Sequence, residues 1–369
     1  MTPAQSPRWQ IGATLVRPGR GGIAAVARIT LRALVEAGAD AALLSYLDDR
    51  PAIAAGRTMR VARGSRARFA AGLLAAAARS DLFLYDSVGM ARAHPRLPGL
   101  RRPYAVWVHG VEVWNGLTPG RARALRGADL LLANSRFTLA RLEARHGPLR
   151  AARVCELGTE ADRPPAPRPP RPPDAPPVVL CLGRIDRAQM YKGQRELVAC
   201  WAEVVQAVPG ARLVIAGGGD GVPLIREAAR RSPAAGFIEV TGHVPEGDLE
   251  ALWARADLFA MPSRGEGFGL VYTEAMRRGI PVIASRQDAG QEVNRHGETG
   301  LNADLDAPGA LSAALIALLR DPGLRARLGA QGARHWRARF RYGAFRDRLL
   351  PILDEFAATT CPTPRGARA

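Results

Sequence analysis

The chain is poor in lysine, cysteine and aromatic residues, and it contains no long apolar run. Its four cysteines lie far apart without a C-x-x-C pair, which argues against both a zinc site and a disulfide framework. Although 47% of the residues are hydrophobic, no apolar stretch reaches the length of a membrane span. With 6% aromatic residues and no recognised RNA-binding module, the chain is not expected to bind a specific nucleic acid.

Lysine is the scarcest basic residue, since Lys192 stands alone among 52 lysine and arginine side chains. The net charge of +18 therefore reflects a bias towards arginine that looks like genome composition, and it is weak evidence for nucleic-acid binding. Arginine does not replace lysine at every phosphate, because a compact ammonium reaches where a planar guanidinium does not. Lys192 is therefore either a chance exception to the preference for arginine or a phosphate ligand.

At 369 residues the chain is long for one hydrophobic core, so we expect two domains. Nine prolines in the segment after residue 162 predict a semi-rigid linker. The residues at the N-terminus lack the layout of a signal peptide, which favours a cytoplasmic location. The predicted parts are an N-terminal domain (1–162), the linker (163–177), a C-terminal domain (178–338), a last helix (339–356) and a flexible tail (357–369).

The most informative stretch reads as a strand, a glycine-rich turn and a helix. The strand is the apolar run Ala256–Pro262, and the helix starts shortly after Gly269. Such a turn leaves the first backbone N–H groups of the helix, from Phe268 to Val271, available to a phosphate. Gly265, Gly267 and Gly269 allow the backbone to approach that ligand closely.

Two carboxylates, Glu266 and Glu274, flank this anion site. Because carboxylates repel a phosphate, we expect their partners to be neutral hydroxyl groups of the same ligand. A molecule with a central diphosphate and a sugar at each end meets both requirements. The stretch therefore predicts a nucleotide-sugar site.

Two further turns follow predicted strands in the N-terminal half. The strand Ile11–Val16 is followed by Gly21 and Gly22 and then by an apolar helix, but the spacing is not that of a dinucleotide site. The strand Tyr104–Val108 delivers His109 at the edge of the sheet where open α/β sheets bind ligands. A lone histidine is more often structural than catalytic.

The E-x7-E spacing of Glu266 and Glu274, within the longer string from Ala256 to Ser285, resembles the signature of retaining, nucleotide-sugar-dependent glycosyltransferases of family 4. Gly183-Arg184 with Lys192-Gly193 resembles the same family's paired cations, and His109-Gly110 matches its N-terminal histidine. The resemblance implies an α/β chain of the GT-B fold, with two Rossmann-like domains facing across a cleft. It also implies that the last helix returns to the N-terminal domain, with Phe345, Leu349, Leu350 and Leu353 on its buried face.

The resemblance assigns a role to each candidate residue. Arg184 and Lys192 would hold the donor diphosphate and stabilise the leaving group, Glu266 the donor sugar, Glu274 the ribose, and His109 would line the reacting face. Glu112 and Trp114 are candidate acceptor or sugar contacts. The donor-binding residues implied are Gly21, Gly22, Gly183, Arg184, Lys192, Gly217, Glu266, Gly267, Phe268, Gly269, Leu270 and Glu274.

The implied reaction is retaining transfer of a sugar from a UDP- or GDP-sugar to a hydroxyl, with an α-linkage and without a metal or other cofactor. The acceptor would be a saccharide or a lipid-linked molecule, as in exopolysaccharide, lipopolysaccharide or glycolipid assembly. Two other hypotheses stay open: different GT-B chemistry such as nucleotide-sugar epimerisation, and a non-catalytic basic protein that binds RNA or anionic lipid.

Residues 57–79 carry six arginines and no acidic residue, interspersed with Phe69, Leu73 and Leu74. Such a segment is typical either of a helix that lies on anionic lipid or of an ordinary solvated helix face. The first interpretation would place the protein at the inner face of the cell membrane. Asp304-Leu305-Asp306 is nominally a D-x-D metal motif, but without a strand pattern around it we interpret it as a surface turn.

Overall fold

The computed structural model describes residues 6–149, 151–167, 172 and 175–361. Within these residues the chain forms two compact units. The first unit holds the described residues up to Glu160 together with those from Tyr342 onwards, and the second unit holds those from Ala161 to Arg341. The predicted linker lies partly outside the described residues.

The described secondary structure alternates short strands with helices along most of the chain. The strands are β1 (Trp9–Ala13), β2 (Ala41–Ser45), β3 (Ile53–Ala54), β4 (Arg57–Thr58), β5 (Arg60–Val61), β6 (Leu82–Tyr85), β7 (Tyr104–Val108), β8 (Leu130–Ala133), β9 (Ala152–Val154), β10 (Val178–Leu182), β11 (Arg212–Ala216), β12 (Ile238–Gly242), β13 (Leu258–Ala260), β14 (Val282–Ser285) and β15 (Gly300–Ala303). The helices are α1 (Gly22–Glu36), α2 (Arg66–Ala77), α3 (Val88–Ala91), α4 (Val111–Trp114), α5 (Pro119–Arg126), α6 (Arg136–His146), α7 (Gln194–Ala207), α8 (Val222–Arg231), α9 (Leu249–Arg255), α10 (Leu270–Arg277), α11 (Gly290–Val293), α12 (Ala310–Arg320), α13 (Pro322–Arg339) and α14 (Tyr342–Thr360).

The first unit is built on a parallel sheet in the order β5-β2-β1-β6-β7-β8-β9. Every residue of β1, β6, β7 and β8 is buried, as expected for strands covered by helices on both faces. The chain runs outwards from β1 to β2 and then returns to β6 on the other side of β1. The carboxyl ends of β1 and β6 therefore form a topological switch point, where open α/β sheets bind ligands.

The second unit repeats this arrangement with a parallel sheet in the order β12-β11-β10-β13-β14-β15. Here the order reverses between β10 and β13, which pair in parallel through Val179 with Leu258 and Leu180 with Phe259. The segments that follow these two strands are the Gly183-Arg184 turn and the glycine-rich turn. The fold therefore brings together two motifs that lie about 80 residues apart in the sequence.

Helix α14 belongs to the first unit and packs through its apolar face. Phe345, Leu349 and Leu353 are buried as predicted, while Leu350 is only partly buried. The Phe345 ring stacks on Trp107 with 6.3 Å between ring centroids. The helix runs to Thr360, so residues 357–360 are helical where we predicted a flexible tail, and residues 362–369 lie outside the described part.

Other elements confirm or correct the sequence interpretation. Ser135 caps α6, because its hydroxyl accepts the N–H of Thr138 at 3.0 Å. The absence of a strand near Asp304 was a wrong prediction, since β15 ends directly before it. Within the residues that the structure describes, no helix is long and apolar enough to cross a membrane.

Candidate functional site

The switch point of the second unit carries an ion pair between two predicted site residues. Lys192 ends a short 3-10 helix (Arg187–Lys192), and its Nζ lies 3.0 Å from Oε2 of Glu266 in the glycine-rich turn. Both side chains are largely withdrawn from solvent, at 17% and 18% exposure. Burial alone would lower the pKa of Lys192, but the Glu266 carboxylate outweighs burial and raises it. The lysine is therefore held as a cation.

The backbone of Glu266 is fixed by the turn that follows the neighbouring strand β14. Its N–H donates to Oδ2 of Asp288 at 2.8 Å, and its carbonyl accepts the N–H of Ala289 at 3.1 Å. Asp288 is completely buried and also accepts the N–H of Gly290 at 2.9 Å. Burial raises the pKa of Asp288 to about 7, against the opposing effect of these N–H groups. The turn is thus anchored before any ligand binds.

The glycine-rich turn ends at Gly269, which has a φ of +90° and precedes the first residue of α10, Leu270. A Cβ atom on Gly269 would overlap the ring of Tyr272, so the turn requires glycine here for both conformation and space. Phe268 is buried against Phe340, with 5.8 Å between ring centroids. Phe268 therefore anchors the turn through its side chain and has only its backbone to offer a ligand.

Glu274 lies one turn into α10 and is partly buried. Arg278, four residues later, donates to the Glu274 carbonyl at 2.9 Å. Gly267 lies in the turn between Glu266 and Phe268 and is buried. All the candidate residues from Glu266 to Glu274 therefore lie on one turn and the helix that follows it.

Arg184 lies on the other side of this switch point and is an exposed cation. Its side chain is 64% exposed and approaches Asp186 at 3.5 Å. Its charge also lowers the pKa of Lys192, although less than Glu266 raises it. Gly217, with a φ of +146°, lies so close to the carbonyl of Gly183 that a Cβ atom would overlap it. The structure thus brings Gly183, Arg184, Lys192 and Gly217 to the carboxyl edge of one sheet.

The switch point of the first unit contains a second buried carboxylate, Asp86. It follows β6 and accepts the backbone N–H and the hydroxyl of Thr14, the latter at 3.1 Å, and the hydroxyl of Ser87 at 3.0 Å. Burial raises the pKa of Asp86 to about 7, opposed by these donors. Asp86 thereby fixes the start of the loop that leads to Gly21 and Gly22 at the beginning of α1.

His109 is held in place by three neighbours. Its Nε2 lies 2.7 Å from the carbonyl oxygen of Asp86, its N–H donates to the Glu112 carboxylate, and its carbonyl accepts the Asn134 amide at 2.9 Å. A carbonyl oxygen can only accept, so Nε2 carries a proton and Nδ1 is the acceptor of the neutral ring. Burial lowers the pKa of His109, partly opposed by the Glu112 carboxylate. His109 is therefore a neutral, oriented imidazole.

The two candidate acceptor residues differ in their surroundings. Glu112 is partly exposed, and its carboxylate accepts the backbone N–H of His109. Trp114 is 8% exposed and packs against Phe137, with the Arg141 guanidinium 5.0 Å from its ring centroid. That location identifies Trp114 mainly as a core residue of the first unit. An acceptor contact by either residue stays a prediction.

Sequence reasoning does not single out Asp86, Asn134 or Asp288. Each follows a buried strand of a parallel sheet, at the end where ligands bind. That signal was available, but it marks many polar residues that carry no function. The hydrogen-bond partners that distinguish these three lie far away in the sequence.

Comparison with known proteins identifies relatives of the chain. The family model described as "Glycosyl transferases group 1" matches residues 176–321. A GDP-mannose-dependent alpha-(1-6)-phosphatidylinositol monomannoside mannosyltransferase of Mycolicibacterium smegmatis is 34% identical over 259 residues, which are 65% of this chain and 66% of that protein. The protein of the same name from Mycobacterium tuberculosis is 32% identical over 276 residues, 70% of this chain and 71% of that protein.

Solved structures support the fold. Sucrose-phosphate synthase from Thermosynechococcus elongatus matches with a TM-score of 0.79 and 21% identity, over 95% of this chain and 100% of that one. HepE from Anabaena, in complex with UDP and glucose, matches with a TM-score of 0.75 and 18% identity, over 94% and 100% of the two chains. The predicted fold class, an α/β chain of the GT-B type, is confirmed.

Proposed function

Because the chain belongs to the family of group 1 glycosyl transferases, we propose that it transfers a hexosyl group, with retention of configuration, from a nucleotide sugar to a hydroxyl of a lipid-linked acceptor. The observation that supports this most is the Lys192–Glu266 pair at the switch point of the second unit. It joins a cation for a diphosphate to a carboxylate for sugar hydroxyls. The product linkage is α, from an α-configured donor.

We favour GDP-mannose as the donor and a phosphatidylinositol mannoside as the acceptor. The relatives from Mycolicibacterium smegmatis and Mycobacterium tuberculosis are both described as GDP-mannose-dependent and as acting on such a lipid. UDP-sugars are the alternative, since HepE was solved with UDP and glucose. The donor therefore has to be settled by a direct comparison.

Lys192 is suited to serve a carboxylate and a phosphate together. An ammonium has three N–H donors, and the pair with Glu266 uses one of them. The remaining donors, with the guanidinium of Arg184 and the N–H groups at the start of α10, would neutralise the diphosphate as it leaves. We propose that these groups perform the task that a metal ion performs in other sugar transferases, so that none is required.

His109 would act through its neutral ring. With Nε2 occupied by the Asp86 carbonyl, Nδ1 is the nitrogen left to accept a hydrogen bond from a hydroxyl of the donor sugar or of the acceptor. Its lowered pKa keeps the ring neutral, so that Nδ1 can accept such a hydrogen bond. We propose that the phosphate itself takes the proton of the acceptor hydroxyl on the face that it leaves.

We also propose that the first unit meets the membrane from the cytoplasmic side. The six arginines of residues 57–79 are all exposed. In α2, Phe69 and Leu73 point into the core and only Leu74 is exposed, so the helix offers lipid less apolar surface than the sequence suggested. The more prominent apolar residue is Ile53, 78% exposed on the short β3–β4 hairpin beside this basic segment.

The experiment is a transfer assay with the purified chain, phosphatidylinositol monomannoside in phosphatidylcholine vesicles, and GDP-mannose, UDP-glucose or UDP-galactose. We expect a product from GDP-mannose that NMR identifies as the α-anomer, and none from Lys192→Met. A β-anomer would refute retention. A changed donor sugar without any acceptor would indicate an epimerase, and no reaction with any donor would refute the proposal.

A further inference from the structure

The turn after β14 buries a carboxylate to which the proposed reaction gives no role. Asp288 has no exposed surface, and its two oxygens accept different backbone N–H groups, those of Glu266 at 2.8 Å and Gly290 at 2.9 Å. A buried carboxylate is costly unless it is well hydrogen-bonded. The bond to Gly290 is local, whereas the bond to Glu266 crosses from β14 to the turn after β13. Asp288 therefore spans two segments of the site.

A second bond from the same turn completes the attachment of Glu266. The N–H of Ala289 donates to the carbonyl of Glu266 at 3.1 Å. The peptide groups on both sides of the Glu266 Cα are thus held by consecutive residues of one turn. Since the direction of the Cα–Cβ bond follows from the backbone, Asp288 and Ala289 together determine the direction in which the Glu266 side chain leaves the backbone, and the pair with Lys192 holds its carboxylate.

Gln287, the residue before Asp288, takes part in a second connection to the glycine-rich turn. The amide of Gln287 donates to Asp304 at 2.6 Å, and Asp306 accepts the Arg264 guanidinium at 2.7 Å. Arg264 lies two residues before Glu266, in the same glycine-rich turn. The D-x-D sequence thus has a structural role in this chain: its two carboxylates connect the turn after β14 with the glycine-rich turn.

We propose that Asp288 is a positioning residue, which holds Glu266 in the orientation where it pairs with Lys192 and receives the hydroxyls of the donor sugar. This inference rests on the proposed function, because it takes Glu266 to be the sugar-binding carboxylate. Asp288 itself has no exposed surface, so we expect the ligand to meet Glu266 and not Asp288. Replacement of Asp288 should therefore weaken the binding of the donor's sugar part and leave the binding of its nucleotide part unchanged.

The charges around Asp288 make the arrangement sensitive to pH. Ser263 and Glu266 face it from the glycine-rich turn and Tyr272 from α10, while Lys192 is one step away through Glu266. Burial and the Glu266 charge both raise the pKa of Asp288, to about 7. A proton on Asp288 would remove its negative charge and make one of its two oxygens a hydroxyl, which is a weaker acceptor for an N–H group.

The test compares GDP-mannose with GDP by calorimetry on wild type, Asp288→Asn and the matched control Asp248→Asn. Asp248 is an exposed carboxylate of the same unit whose side chain does not cap α9. We expect Asp288→Asn to weaken GDP-mannose binding about 10-fold, which is the effect of losing one charge-assisted hydrogen bond, and to leave GDP binding unchanged. In wild type the GDP-mannose affinity should fall as pH drops below about 7, and in the variant it should not.

Equal losses for GDP and GDP-mannose, or no loss for either, would overturn the inference while leaving the proposed function intact. If wild type binds neither GDP nor GDP-mannose, the same comparison is made with UDP and UDP-glucose; if it binds none of the four, the proposed function fails, and this inference fails with it. Amide hydrogen exchange on wild type gives a reading that does not depend on the variant's folding. The Glu266 amide should be strongly protected without ligand, and exchange as fast as that of exposed turns would overturn the positioning role.

Discussion

The Lys192–Glu266 pair allows a quantitative test by replacing its members singly and together. At 3.0 Å and an effective dielectric constant of about 20, the attraction between the two charges is roughly 5 kcal/mol. Removal of both charges from water offsets most of it, whereas removal of one partner leaves the other buried without compensation. The residual exposure of 17% and 18% moderates that penalty. We expect Lys192→Met and Glu266→Gln each to destabilise the protein by about 2 kcal/mol, and the double variant by about 1 kcal/mol.

The assay is urea unfolding of the four proteins at pH 7.5. The expected values correspond to an interaction energy of about 3 kcal/mol between the two side chains. The exposed pair Arg153–Glu355, at 3.1 Å with 47% and 62% exposure, is the matched control and should give less than about 1 kcal/mol. Additive effects at Lys192 and Glu266 would show that the pair is solvated like the control, and the electrostatic argument for the site would be refuted.

Nucleotide binding separates the roles of the two residues in the same set of proteins. Lys192→Met should abolish binding of both GDP and GDP-mannose, because it removes the cation that we propose binds the diphosphate. Glu266→Gln should preserve GDP binding and weaken that of GDP-mannose about 10-fold, through lost hydrogen bonds to sugar hydroxyls. The opposite pattern would exchange the proposed roles.

Three other perturbations follow from single observations. Burial raises the pKa of Asp86 to about 7, so its contribution to the free energy of unfolding is complete below about pH 4 and is lost as the pH rises through about 7. In Asp86→Asn, the free energy of unfolding measured with urea should therefore depend less on pH between these two values. An unchanged pH dependence would exclude Asp86 as its source. Gly269→Ala should lower the melting temperature and abolish GDP-mannose binding, because the φ of +90° and the Tyr272 ring exclude a Cβ atom; wild-type binding would show that the turn adapts. Ile53→Asp should reduce co-sedimentation with phosphatidylinositol-containing vesicles, while Leu97→Asp, which replaces a leucine that is 54% exposed, should not; equal losses would refute a specific role of the hairpin.

The sequence was sufficient to predict elements with a strong local signal. The buried strand Tyr104–Val108 and the glycine-rich turn before α10 have patterns that few other structures produce. Helix α13 escaped notice because the face it buries includes Gly329 and Gly332 as well as Leu328 and Trp336, so it shows no apolar period. Gly329 packs directly on the carbonyl of Gly279, a contact that small residues permit and that no hydrophobicity pattern reveals.

The candidate site was predictable only in part, for a similar reason. Arg184, Lys192 and Glu266 belong to motifs that local spacing reveals, but the pairing of Lys192 with Glu266 joins residues 74 positions apart. Asp288 lacks a local signature, because a polar residue after a strand is common and only its partner, the Glu266 N–H, makes it distinctive. Sequence thus reveals the proposed ligand-binding groups more readily than the groups that hold them.

Each unit holds a turn at its switch point with a buried carboxylate, and elementary physical chemistry explains why. A parallel sheet ends in backbone N–H groups that lose their strand partners where the chain turns away. Asp86 accepts such a group from Thr14 after β1, and Asp288 accepts one from Glu266 after β13. Water would satisfy these N–H groups equally well but would leave the turns mobile, whereas a carboxylate fixes them and has its own pKa raised to about 7. The raised pKa values are therefore the consequence of burying a carboxylate at each turn, and the N–H groups that the carboxylates hold oppose the rise.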